Sequence, residues 1–152
     1  MIVVANTAEL KSLAAQILAE HAHVKTTADF QALMWVDPET NEVQWCVGYD
    51  GFVGKICQMH IVKLGNISLP KQFLWAGFDY PFNQAGMEAV TGVVNSKNVQ
   101  AMRFDKHLGF AEILRLPSLH DDGGDVVFLK MDKADCKWLK LGKKYEAQLL
   151  AA

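Results

Sequence analysis

The side chains best suited to proton chemistry are His60 and Glu88. Imidazole titrates near neutral pH and is the natural proton acceptor of a side-chain set, and Glu88 offers a carboxylate at the start of a later strand. A histidine bonded within the sheet and a solvated strand-end carboxylate are the competing accounts. His107 and His120 read as surface residues, and the set of 5 histidines shows no HxxxH or HExxH spacing, so no metal site is expected. Cys46, Cys57 and Cys136 lack CxxC spacing and read as buried or free thiols. Trp35, Trp45 and Trp75 suit either a cleft wall or a core. Asp121 and Asp122 suit either a cationic ligand or a polar turn.

These residues sit on a chain of 152 residues, 51% hydrophobic and 21% charged, which is the composition of one globular domain. A net charge of −2 gives no global attraction to nucleic acid. The apolar run Met1 to Ala5 is too short for a membrane span, and no leader pattern is present, so a soluble cytoplasmic protein is the expectation.

Met1 to Ala5 reads as a strand, followed by a helix capped by Asn6 or Thr7, with apolar residues at Leu10, Leu13, Ala14, Ile17 and Leu18 forming one face. Phe30 to Val36, Val43 to Tyr49 and Phe52 to Leu64 read as antiparallel strands. Asp37 to Asn41 turns the first pair and Asp50-Gly51 the second. Leu69 to Gln84 reads as a helix with Ser68 as N-cap, Pro70 in its first turn and Pro81 kinking or ending it. Met87 to Asn95 is a strand, Val99 to Leu108 a helix stopped by Gly109, and Phe110 to Leu116 with Val126 to Met131 a last hairpin. A strand, helix, strand connection is a crossover, so at least one parallel pair is expected in a mixed, mostly antiparallel sheet flanked by helices, an α/β (α+β) fold. Residues 1–132 make the domain. Residues 133–152 make a lysine-rich helical extension broken near Gly142, either a packing appendage or a homo-oligomer or assembly contact.

Asn98-Val99-Gln100-Ala101, followed by Met102 to Leu108 and Gly109-Phe110, resembles the segment of GNAT acetyltransferases that runs N, two residues, A, then a helix ending in G-F. The element order is similar too. Phe78 to Val90 resembles the ribosomal-protein N-acetyltransferase branch. The resemblance implies an acyl-CoA N-acyltransferase fold with a V-shaped gap between the strand ending near Leu64 and the strand Met87 to Asn95. Acetyl-CoA, as co-substrate, enters that gap and its pyrophosphate meets the following helix N-terminus. Leu64, Gly65, Asn66, Ile67, Ser68, Lys71, Asn98 and Phe104 then contact the co-substrate, and His60 or Glu88 takes a proton from a small-molecule or protein amine. Two positions depart from the pattern. The phosphate loop has Gly65 as its only glycine, and Asp105 stands where many members carry the Tyr that protonates the leaving thiolate. These departures motivate an alternative from another class: a GNAT-fold protein without catalysis that serves in binding or assembly, as in the bacteriophage virion proteins that resemble this fold.

Overall fold

The structure, a computed structural model, describes the backbone of residues 1–151 and the side chains of residues 1–146. Seven strands form one mixed sheet in the order β1-β2-β3-β4-β5-β7-β6, where β1 is Ile2–Val4, β2 Gln31–Val36, β3 Val43–Val53, β4 Ile56–Lys63, β5 Ala89–Asn95, β6 Ala111–Leu116 and β7 Val126–Asp132. Every neighbouring pair is antiparallel except β4 and β5, the parallel pair expected of the crossover through α2 (Lys71–Asp79). α1 (Ala8–Ala22) packs on one face, where Ala14, Ile17 and Leu18 meet Ala32, Met34, Cys46 and Val62. α2 and α3 (Val99–Leu108) pack on the other, over Val47, Tyr49, Met59, Val90 and Leu129.

Local chemistry explains the helix ends. The Thr7 hydroxyl accepts the Leu10 amide at 3.2 Å, which settles the choice between Asn6 and Thr7. The Asn98 side chain accepts the Ala101 amide at 3.1 Å, and Gly109 closes α3 at a φ of 119°.

Two segments differ from expectation. The β3–β4 hairpin does not turn at Asp50-Gly51. The Asp29 carboxylate accepts the Gly51 and Phe52 amides at 3.1 and 2.8 Å, holding these residues in a bulge, and β3 runs on to Val53 before the chain reverses at Gly54-Lys55. The second helix starts at Lys71 with Pro70, not Ser68, at the N-cap position and no side-chain cap. Pro81 does not end it: Tyr80–Gln84 continues as a π-helical turn. Proline lacks the N–H that would bond the carbonyl four residues back. That carbonyl, on Gly77, accepts the buried Tyr49 hydroxyl instead.

After β7, turns at Lys133–Asp135 and Lys137–Leu141 lead into α4 (Gly142–Ala151), which begins at Gly142. Cys136 is buried in the main core, the Trp138 indole donates to the Leu108 carbonyl at 2.7 Å, and Tyr145 lies against Trp75. Among the described residues no helix is long and apolar enough to cross a membrane.

Candidate active site

β4 and β5 pair over only three rows, Ile56 with Ala89, Cys57 with Val90 and Gln58 with Thr91. Beyond them β4 stays bonded to β3 as far as Lys63, and β5 stays bonded to β7 as far as Asn95. Each strand is held by its outer neighbour while the inner edges part. The result is a wedge between Met59–Lys63 and Gly92–Asn95, whose inner backbone groups have no strand partner.

His60 stands on β4 just inside the wedge. It lies opposite Gly48, so its side chain is on the α1 face, and Nε2 is 2.8 Å from Asp50 Oδ1. Asp50 is 3% exposed, and its Oδ2 accepts the Thr27 amide at 3.2 Å. With the carboxylate as acceptor, the tautomer that fits this contact donates from Nε2 and leaves the lone pair on Nδ1. This is the arrangement of a base with an orienting carboxylate. Glu88 is not part of it. Its residue precedes the three paired rows, at the closed end of the wedge, where its amide donates to the Lys55 carbonyl at 2.8 Å and its side chain is exposed.

The open end of the wedge meets the loop Leu64–Pro70. The Leu64 and Gly65 amides both donate to the Gln44 carbonyl, at 2.9 and 3.1 Å, and the Ile67 carbonyl accepts the Trp45 indole at 3.1 Å. A side chain at Gly65 would run into Gln44, with Oε1 1.6 Å from a Cβ, which explains the lone glycine by packing. The anion-binding potential therefore rests on Asn66 to Ser68, on the uncapped N-terminus of α2, and on two cations, Lys71 and Lys63. Lys63 Nζ lies 5.8 Å from the Trp45 ring.

α3 supplies the third wall. Phe104 stacks on Trp45 with ring centroids 6.0 Å apart and planes at 23°, joining α3 to β3 level with Lys63, the last residue of β4. Between α2 and the β3–β4 floor, the cavity lined by Val47, Met59, Ile61, Phe73 and Phe78 measures about 10 Å³, room for about one water. Burial pushes the Asp105 carboxyl up to about 6. The three cysteines are all buried, and burial pushes Cys46 and Cys57 up to about 12, so none is a nucleophile at neutral pH.

By sequence the chain matches no family model and no curated protein. By structure it is similar to spermidine N-acetyltransferases. The spermidine/spermine N-acetyltransferase SpeG from Vibrio cholerae, solved with manganese ions, superimposes with a TM-score of 0.67 at 11% identity, over 88% of this chain and 92% of that one. A point variant of the same enzyme gives 0.62 at 14% identity, over 82% and 75%. A dodecameric form of that enzyme gives 0.62 at 14%, over 82% and 74%.

The fold is the GNAT acyltransferase fold.

In GNAT terms the expected site residues divide into three groups. His60, the loop Leu64–Ser68 and Lys71 line one side of the wedge, and Asn98 and Phe104 come from α3 on the other, while Glu88 stands apart. Sequence reasoning missed Asp50 and Lys63. Asp50 and His60 are joined by a diagonal across the β3–β4 ladder, and the only sequence signal for it is a hairpin register that the Asp50-Gly51 dipeptide disguises. Trp45, one of the three tryptophans that suit a cleft wall or a core, stands at the wedge through its stack on Phe104.

Proposed function

We propose that the chain is an N-acyltransferase that moves an acetyl group from acetyl-CoA to a primary amine. The observation that carries this reading is the Asp50–His60 pair standing where β4 and β5 begin to part, just beyond their last paired row. Acetyl-CoA supplies an activated thioester. The chain supplies the rest: Asp50 fixes the imidazole, His60 Nδ1 takes a proton from the acceptor ammonium, and the freed amine attacks the thioester carbonyl and expels the CoA thiolate, between strands each bonded to its outer neighbour. Lys63, Lys71 and the first amides of α2 suit the pyrophosphate, with Asn66, Ile67 and Ser68 beside them. Asp105, in the position of the usual Tyr, keeps about one carboxyl in ten protonated at neutral pH given its raised pKa, a weak proton donor for a departing thiolate.

Phe78–Val90, the stretch that resembles the ribosomal-protein branch, holds the buried Phe78, Pro81 and Phe82 and has a packing role of its own. The acceptor class proposed is therefore a primary amine, on a protein or a small molecule, and no narrower.

One observation favours the second reading, a binding or assembly protein of the same fold: the Trp45–Phe104 stack ties α3 to β3 across the side of the wedge that a pantetheine arm would use. Calorimetric titration with acetyl-CoA, followed by a thiol-release assay with a mixed amine panel, separates the two. Binding and thiol release with an amine support transfer. Absence of binding at about 1 mM acetyl-CoA, the upper end of ordinary substrate constants, overturns it in favour of the second reading.

A further inference from the structure

The two edges of the sheet are unequal. β1 has three residues, a short edge that offers little to a neighbouring strand. β6 has six, five of them exposed, including Ile113 at 54% and Leu114 at 51%. An apolar edge strand of this length, left open, is a template for another strand.

The charges on β6 identify that strand. Glu112 lies opposite Leu129 and Arg115 opposite Val127, both core-facing positions of β7, so both side chains lie on the α2–α3 side of the sheet. In a regular strand, residues three apart fall on opposite faces. The bulge between Glu112 and Leu114 adds one residue and brings the two charges onto one face, where Arg115 Nη2 meets Glu112 Oε1 at 2.7 Å. Leu114 and Leu116 lie opposite Phe128 and Val126, on the other face.

We propose that β6 pairs antiparallel with β6 of a second copy of this chain, about a two-fold axis between Ile113 and Leu114. Glu112 of each copy then stands opposite Arg115 of the other. Around the axis Ile113 faces Leu114, and Ala111 faces Leu116. Directly opposed residues of an antiparallel pair must share a face, and the bulge lets this odd register satisfy the condition for both charges. A bulge on an edge commonly discourages pairing; here it makes the strand complementary to itself, as an isologous contact requires. Leu119, 66% exposed in the loop after β6, adds apolar surface beside the pairing. The proposal is independent of whether the wedge is catalytic.

Sedimentation velocity over a concentration series tests it with three proteins: the parent, Glu112→Arg and Arg115→Glu. Both side chains are more than one third exposed, so the variants keep the parent's circular dichroism. The parent is expected to show a monomer–dimer equilibrium. Each variant alone places like charges opposite one another and sediments as a monomer. An equimolar mixture of the two variants restores both opposite-charge pairs and regains the dimer. Three results each overturn the proposal: a parent that stays monomeric at every loading, a parent assembly that either variant leaves unchanged, or a mixture that stays monomeric. Both variants lose the internal Glu112–Arg115 bond, and Arg115→Glu also loses the 3.0 Å bond from Arg115 Nη1 to Asp125 Oδ2; mixing restores neither, so recovery in the mixture reads only the contact between copies.

Discussion

His60 Nε2 and Asp50 Oδ1 meet at 2.8 Å although the two residues are not opposite each other in the ladder: His60 faces Gly48, and Asp50 faces Gln58. Diagonal partners lie within reach of longer side chains on one face of an antiparallel pair. Gly48, opposite His60, is held to glycine by packing on that face, where a Cβ would meet Leu18 Cδ1 at 2.4 Å and Phe30 Cε2 at 2.7 Å. If His60 is the base, Asp50→Asn lets the amide donate as well as accept and releases the tautomer. Steady-state kinetics should then show kcat lower by about 10² to 10⁴ with KM little changed, the range of general base catalysis. His60→Gln should cost as much, and the double variant little more, because the two act as a unit.

Asp105 makes stability depend on pH. Its carboxyl is raised from 3.8 to about 6 by burial, so the folded state holds the proton more tightly than the unfolded chain. The contribution is fully present below the unfolded value and is lost as pH rises through the folded one, at most about 3 kcal/mol over two units. Urea denaturation of Asp105→Asn across this window should show a flatter profile than the parent and greater stability at neutral pH.

The Trp45–Phe104 stack makes an opposite prediction for binding and for stability. Phe104→Ala should destabilise the fold by about 3 kcal/mol, the low end for phenylalanine removal because the ring is half-buried. It should also tighten acetyl-CoA binding, by about tenfold, the free energy of one aromatic pair that no longer has to open. Calorimetric titration of parent and variant at equal concentration reads the second effect, and thermal unfolding reads the first.

Tyr49→Phe removes only the hydroxyl that satisfies the Gly77 carbonyl. A buried acceptor left without a donor costs about 1–3 kcal/mol. Thermal unfolding should fall by several degrees, and the π-helical turn around Pro81 should lose amide protection before the rest of α2.

Much of the fold could be read locally. Asn98 before an amphipathic run and Gly109 after it announce α3 because caps depend on residues three or four positions away. The element order, the mixed sheet and its parallel pair follow from the same local periods. What could not be read depends on distant groups. Asp50-Gly51 carries a turn dipeptide, yet Asp29, more than twenty residues earlier, binds the Gly51 and Phe52 amides and converts the turn into a bulge. Pro81 reads as a helix stop because the chain alone cannot show that Tyr49 will satisfy the orphaned Gly77 carbonyl. At the site, His60, Asn98 and Phe104 could be chosen by residue type and motif, whereas Asp50 and Lys63 owe their places to the register of β3 against β4.

The hydrogen bond from the Thr27 amide to Asp50 Oδ2 gives the candidate site a built-in reporter. A backbone proton held by a carboxylate resonates according to the charge on that carboxylate, and this one shares its other oxygen with His60. The chemical shift of a single amide, followed by nuclear magnetic resonance as pH is varied, therefore records the protonation of the pair in the resting protein, before any substrate has been identified.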